Sequence, residues 1–343
     1  MPGGAIKPST LLLPAAFAAC AALHSPAPAA EAAEVPAPLP GLPIAPDGEA
    51  AASDPLGQML DQVLQSTRHS VRSSAEWLAR AVDGSFGDKS FDAGGKVSNG
   101  RVDLSLHKRQ NQVRELDLRF NARFRLPNLE ERVHVFVGND DERDVVTDSP
   151  EAFAQRQRLL ESRPTTNSFF AGLKLPLLDA LEFRIGVHGP FKPFVQASYD
   201  LAWHLTQADV VEFRETVFWT LADHFGSTTV GSYAHAFTPT LAVRWLNSVT
   251  ITQVTDRFEW NSSLGAYKAM GAQRVLSFEA LFSGFQGSGI GVSEYGLQVR
   301  WEQPIHETWV LAEIGVGHFW PRPDALSERG RAWGVGATLK MKF

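Results

Sequence analysis

From about residue 100 to the end of the sequence, apolar and polar side chains alternate with a period of two. The alternation is clearest over residues 115–126, where leucine, phenylalanine and alanine occupy the even positions and charged or amide side chains the odd ones. The last eleven residues, from Trp333 to Phe343, repeat the pattern with apolar side chains at the odd positions. A period of two indicates β-strands with one apolar and one polar face. The sequence therefore predicts an all-β domain over residues 97–343.

The predicted strands are long and numerous. About fourteen segments alternate, with twelve as the other possible count, and many have ten to thirteen residues. Strands of about five or six residues are usual in soluble proteins, whereas a tilted membrane crossing needs about ten. The predicted fold is therefore a transmembrane, antiparallel, up-and-down β-barrel. The alternative is a soluble two-sheet sandwich with an ordinary core.

The size of the barrel predicts which face looks outward. A closed sheet of about eight strands already has an interior that side chains fill. About fourteen strands with their apolar side inward would enclose a wide apolar hole, so the apolar side is predicted to face lipid. Two stretches depart from the alternation. Glu215 falls on the apolar side of residues 211–220, and residues 225–237 do not show which of their two sides is apolar.

The terminal strand ends on an aromatic residue, Phe343. In this it resembles the closing strand of bacterial outer-membrane β-barrels, in which the terminal aromatic strand is the assembly signal. The resemblance implies that Phe343 is recognised by the barrel assembly machinery and that the barrel sits in the outer-membrane lipid of a Gram-negative bacterium. Tryptophans near predicted strand ends agree with aromatic girdles at two membrane interfaces; they are Trp203, Trp219, Trp301, Trp309, Trp320 and Trp333.

Further segments resemble a family of proteobacterial exported barrel proteins to which no activity is assigned. The resembling segments are residues 82–88, residues 126–132 with residues 138–141, and residues 260–265. The resemblance spans about residues 70–343. It implies a fold and a location and supplies no activity.

A leader is predicted before the barrel. Lys7 and a short leucine-rich segment indicate a secretory signal peptide over residues 1–29. Ala27-Pro28-Ala29 fits a cleavage site, whereas Phe17-Ala18-Ala19-Cys20 resembles a lipoprotein processing site at which Cys20 would be lipidated. Residues 30–52 are rich in proline and alanine and predict a disordered linker.

An amphipathic periplasmic helix is predicted within residues 53–88. Asp54-Pro55 supplies an N-cap and a first-turn proline, and apolar residues recur at three- and four-residue steps until Gly84. The apolar stripe has to be buried, and the sequence leaves the place open. It can plug the barrel mouth, lie on the inner surface of the membrane, pack on another copy or simply pack on the barrel. Docking of a periplasmic partner on residues 54–83 is a further alternative.

The polar side of the predicted sheet carries charges of nearly balanced sign. The residues predicted to line a pore are Arg119, Arg123, Arg125, Glu182, Arg184, Glu212, Arg214, Arg244, Glu259, Glu279, Arg300 and Glu313. Arg119, Arg123 and Arg125 lie on one face of one strand and are the best candidates for a patch that attracts anions, because guanidinium groups bind carboxylates and phosphates well. The charges can sort solutes in a constriction, or they can pair with one another and fill the barrel.

Other chemistries find little support in the sequence. The formal net charge is −6 with no basic cluster, so nucleic acid is not a predicted partner. Serine and histidine do not occur at a spacing that marks a nucleophile beside a base, so neither an enzyme nor a cofactor is predicted. Residues 138–142 do not match the calcium-binding loop and are predicted to be a solvated acidic loop, at the start of the longest loop, 139–166.

The function predicted first is a passive or gated pore for small polar solutes, including anions, with the helix as a plug or periplasmic contact. The alternative is a closed structural barrel that docks a partner protein or an envelope component through the helix. A lipid-modifying outer-membrane enzyme is a third hypothesis.

Overall fold

The computed structural model describes residues 64–66, 68, 72–73, 76, 96–110, 112–125, 133–148, 157–160, 167–255, 257–271, 273–286, 291–322 and 328–343. The predicted signal peptide, the predicted linker and Cys20 lie outside the described residues, as does most of the predicted helix over residues 53–88.

Fourteen strands form one closed barrel, as the sequence predicted. They are β1 (Lys96–Arg109), β2 (Glu115–Arg125), β3 (His134–Asp141), β4 (Asn167–Leu178), β5 (Leu181–His188), β6 (Lys192–His204), β7 (Asp209–Thr220), β8 (His224–Thr238), β9 (Leu241–Thr252), β10 (Phe258–Ala269), β11 (Val275–Gln286), β12 (Glu294–His306), β13 (Val310–Pro321) and β14 (Ala332–Lys342). Each strand pairs with the next along the chain, and β1 also pairs antiparallel with β14. The antiparallel up-and-down topology is confirmed, with fourteen strands rather than twelve.

The seam between β1 and β14 includes the last residue. The register runs from Arg101 opposite Lys342 to Arg109 opposite Gly334. The Phe343 N–H donates to the Gly100 carbonyl over 3.0 Å, and the Phe343 ring lies against Gly100. A Cβ atom at position 100 would fall 2.2 Å from that ring, so the seat of the ring depends on glycine.

The outer face of the barrel is apolar and the inner face is polar. On β2, Leu116 is 70 % exposed whereas its neighbour Asp117 is 5 % exposed. The same contrast holds on β1, where Leu104 and Leu106 are exposed and Ser105 is buried. The exposed leucines therefore form the outer surface, and the two-sheet sandwich with an apolar core is wrong.

β1 begins and β14 ends at the same rim of the barrel, which we call the terminal rim; the opposite rim is the loop rim. Turns at the terminal rim include residues 179–180, 239–240 and 307–309, which are short. At the loop rim, β3 is followed by the helix α1 (Glu142–Thr147). The prediction of a solvated acidic loop over residues 138–142 is wrong, because Gly138 to Asp141 belong to β3 and Glu142 begins α1.

The described residues between 64 and 76 are helical and touch the terminal rim. Leu64 packs with Trp309, Val310 and Met341, and the Arg68 guanidinium lies 4.6 Å from the centre of the Trp309 ring. Val310 and Met341 are opposite each other in the register and share the outward parity of their strands. No helix in the described part of the chain has the length and apolar character to cross a membrane.

Candidate functional site

α1 lies inside the barrel. Its buried Val146 packs among phenylalanines that point inward from β3, β4, β6 and β7; they are Phe136, Phe170, Phe194 and Phe218. The Asp141 carboxylate caps the helix by accepting from the Arg143 N–H, and Asp148 ends it in the left-handed conformation. Burial of the Val146 side chain against these rings draws the segment into the lumen, which is why its acidic residues are not simply solvated.

α1 and the chain beyond it reach the other side of the lumen. The Arg143 guanidinium pairs with the Glu259 carboxylate of β10 over 2.8 Å. Leu159 packs with Leu281 of β11 and Phe319 of β13. Residues 142–148 and 157–160 therefore contact strands on both sides of the barrel, and we call them the constriction segment.

Arg158 anchors the constriction segment near β1 and β2. Its Nη1 donates to the Ser105 hydroxyl over 2.9 Å and lies 3.9 Å from an Asp117 oxygen. Burial lowers the pKa of Arg158, and repulsion from Arg119 lowers it further. The neighbouring Leu159 carbonyl accepts from Arg109 over 2.9 Å.

The pKa of Arg143 is shifted the other way. Burial acts to lower it, but the hydrogen bond and charge of Glu259 outweigh burial, and the Arg143 pKa is raised. The pair with Glu259 therefore keeps a fixed positive charge on α1 inside the lumen.

Asp148 ties the end of α1 to two wall strands. Its carboxylate accepts from Arg184 of β5 over 2.6 Å and from Arg214 of β7 over 3.0 Å. Arg184 also pairs with Glu182, and Arg214 also pairs with Asp200. Both arginines thus bridge the wall and the constriction segment.

A cavity of about 260 Å³ lies between the constriction segment and the wall. Its cationic lining residues are Arg101, Arg119, Arg123, Arg158, Lys174, Arg184 and Arg214. Its anionic lining residues are Asp103, Asp140, Asp144, Asp148 and Glu182. Seven positive charges against five negative ones leave an excess of two, so the cavity is weakly positive.

The predicted arginine patch on β2 is divided. Arg119 is buried and its guanidinium contacts Asp117, over 2.6 Å, and Asp140. Arg123 lies further toward the terminal rim, is exposed and lines the cavity. Arg125 is exposed near that rim and is not part of the cavity lining.

A second set of charges covers the wall formed by β11 to β14, and we call it the far-wall network. Arg300 contacts Glu279 over 3.2 Å and Glu313 over 3.1 Å. Lys340 contacts Glu313 over 2.7 Å and also pairs with Glu302. These side chains pair with one another within the wall, and their two positive and three negative charges leave one negative charge in excess.

The strand registers place all twelve predicted pore-lining residues on the inner face. Five of them line the cavity: Arg119, Arg123, Glu182, Arg184 and Arg214. Three belong to the far-wall network: Glu279, Arg300 and Glu313. The other four lie elsewhere on the inner face: Arg125, Glu212, Arg244 and Glu259. Glu212 and Arg244 pair with each other.

The sequence pattern did not predict the constriction segment or its charged residues Arg143, Asp148 and Arg158. A usable signal was present. Four phenylalanines fall on the polar side of four different strands. A water-filled lumen does not favour aromatic side chains, so these positions indicate that something packs on them. In the described residues, no three or more histidine, cysteine, aspartate or glutamate side chains are grouped closely enough to hold a metal ion.

No protein-family model matches the sequence, and no curated protein matches it, so the resemblance to the proteobacterial exported barrel family stays a prediction. Among solved structures, the chain is similar to the outer membrane channel DcaP of Acinetobacter baumannii, at 10 % identity and a TM-score of 0.43, over 75 % of this chain and 99 % of that one. It is similar to an anion-selective porin from Comamonas acidovorans, at 8 % identity and a TM-score of 0.41, over 73 % and 100 % of the two chains. It is also similar to OmpT of Vibrio cholerae, at 9 % identity and a TM-score of 0.41, over 73 % and 98 %.

Proposed function

We propose that the protein is an outer-membrane pore for small polar solutes and that the constriction segment sets its conductance. The observation that carries the proposal is that α1 crosses a charged lumen. It packs on the inward-facing phenylalanines through Val146, and its Arg143 pairs with Glu259 of β10. A closed barrel satisfies its backbone hydrogen bonds within a membrane, and the exposed apolar outer face suits lipid. The polar inner face then provides the route for water and solutes.

The cavity favours anions in this proposal. Its lining has two more positive than negative charges, and a low-dielectric wall strengthens the field that such an excess produces. Arg123 is exposed in this lining and is the residue through which we expect solutes to sense the field.

A closed structural barrel is the second candidate function, and the ion pairs favour it. The far-wall network and the contacts of Asp148 show inner-face charges paired with one another. Paired charges of this kind can hold the shape of a barrel without conducting. The two candidates differ in whether the purified protein passes current.

Planar-bilayer recordings on the wild type and two variants test the proposal. Asp148→Asn removes the carboxylate charge that holds α1 to Arg184 and Arg214. Glu302→Gln is the matched control, because it removes one inward-facing carboxylate whose partner, Lys340, belongs to the far-wall network. We expect stepwise current in the wild type, larger steps in Asp148→Asn and wild-type steps in Glu302→Gln.

Two results would decide against the proposal in different ways. If none of the three proteins passes current, the closed barrel is favoured. Equal steps in all three would keep the pore but remove the role of the constriction segment.

A further inference from the structure

A stripe of polar and small side chains crosses the outer face of the barrel from β7 to β10. We call it the polar stripe, and its members are Glu215, Ser227, Thr229, Gly231, Asn247 and Ser262. The registers make them neighbours: Glu215 is opposite Thr229, Gly231 is opposite Asn247, and Asn247 is opposite Ser262. Their position is outward, because they share the parity of the exposed Val217, Tyr233 and Trp245.

The polar stripe lies in the part of the outer face where apolar residues belong. Glu215 is near the middle of β7, and Asn247 is near the middle of β9. Elsewhere the corresponding positions carry exposed apolar side chains, such as Leu118 on β2 and Val299 on β12. Acyl chains offer no hydrogen bonds, so polar groups at this depth need protein partners.

Contacts within the chain satisfy the polar stripe only in part. The Glu215 carboxylate accepts from the hydroxyls of Ser227 and Thr229, the latter over 2.6 Å. The Trp245 indole N–H donates to the Ser262 oxygen over 3.0 Å. Among the described residues, no hydrogen bond is made by the Asn247 amide, and no acceptor takes the Ser262 hydroxyl proton.

Gly231 at the centre of the polar stripe is not required by packing within the chain. A Cβ atom added there would meet no atom within 4 Å. Glycine weakens a strand unless a close approach needs it, and a flat surface of small residues lets another backbone come near. The space outside Gly231 is therefore available to a partner.

We propose that the polar stripe is the contact between two copies of this chain in the membrane. A second copy inserted in the same direction presents the same polar groups at the same depth, which an unrelated apolar surface or lipid cannot do. A two-fold axis along the membrane normal between β8 and β9 makes the contact self-complementary. It sets the Asn247 amide, which both donates and accepts, beside its counterpart. It also turns the Glu215 side of one copy toward the Ser262 side of the other.

Cross-linking in the native outer membrane tests the pairing. Gly231→Cys places a thiol at the centre of the polar stripe, and Ala337→Cys is the matched control at an exposed, outward-facing position of β14. With a short bis-maleimide, we expect a band of twice the chain mass for Gly231→Cys and a band of one chain mass for Ala337→Cys. A Gly231→Cys band that stays at one chain mass, or a product of another mass, would overturn the proposal.

The mass of the purified protein in mild detergent gives an independent readout. The wild type and Ala337→Leu are expected at twice the chain mass, and Gly231→Leu at the mass of one chain, because leucine fills the space that the contact needs. The heat-dependent shift of the folded barrel on SDS gels shows that each variant is folded. A folded wild type with the mass of one chain would contradict the pairing and would leave the proposed pore untouched.

Discussion

Val146 is the buried side chain by which α1 is seated on the inward-facing phenylalanines; it is 4 % exposed. Val146→Ala removes two methyl groups from that contact and should weaken the docking of α1 by about 1–2 kcal/mol. We expect faster hydrogen exchange at the amides of residues 142–148, while the amides of β7 stay protected.

Val145→Ala is the control for this prediction, because Val145 is only partly buried at the edge of the same cluster. Its effect on exchange should be clearly smaller. Equal protection of α1 in the wild type and in Val146→Ala would show that ion pairs, rather than the phenylalanine contact, keep α1 in the lumen.

Gly100 and Phe343 form the other residue pair whose energy can be measured. Gly100→Ala displaces the Phe343 ring, and Phe343→Ala removes it; each change should destabilise the barrel by about 1 kcal/mol in denaturant unfolding. Because both remove the same contact, the double variant should lose little more than either single one. Gly291→Ala, at a position where an added Cβ atom meets no atom within 4 Å, is the control for Gly100→Ala. Additive losses would show that the two residues act separately.

At the scale of the element, the strands were predictable and α1 was not. A period-two pattern identifies a strand locally, so the strands and, except on β8, their faces follow from the sequence. The position of α1 depends on contacts that are distant in the chain. Val146 finds its partners on β3, β4, β6 and β7, and a six-residue helix with acidic residues in its first turn looks, in the sequence alone, like a solvated loop.

Two irregular strands have a shared physical explanation. Glu215 interrupts the alternation of β7, and residues 225–237 of β8 show no apolar side. Both irregularities arise because Ser227, Thr229 and Gly231 point outward beside Glu215. The sequence pattern was not noisy at these positions. The outer face itself is polar there, and a rule that assumes an apolar outer face fails at these positions.

The described helical residues between 64 and 76 supply the prediction at the element scale. Leu64 contacts the outward face of the terminal rim, which supports packing on the barrel over insertion as a plug. We expect that deletion of residues 31–88 leaves the size of single-channel steps unchanged. A channel that conducts only after the deletion would place the helix in the lumen instead, and loss of folded barrel would identify the contact with Trp309 as a requirement for assembly.

At the scale of the whole molecule, the charge on the inner face could be predicted in kind but not in arrangement. The strand pattern places twelve charged residues inward, yet it does not tell which of them meet. Both Arg119 and Arg123 line the cavity, but Arg119 is buried and paired with Asp117 and Asp140, whereas Arg123 of the same strand is exposed. The pairing depends on strand register and on the constriction segment, and both are properties of the closed barrel.

Ion selectivity measures that arrangement. With an excess of two positive charges in the cavity, the reversal potential in a potassium chloride gradient should indicate a preference for chloride. Arg123→Glu changes the cavity by two charge units and cancels this excess, so the preference should disappear. Arg125→Glu makes the same change of charge on the same strand outside the cavity lining and should have a smaller effect. The screening length falls to about 3 Å at 1 M salt. The wild type and both variants should therefore show nearly the same ion preference at high ionic strength. Equal shifts for the two variants would mean that ions sense the barrel mouth rather than the cavity.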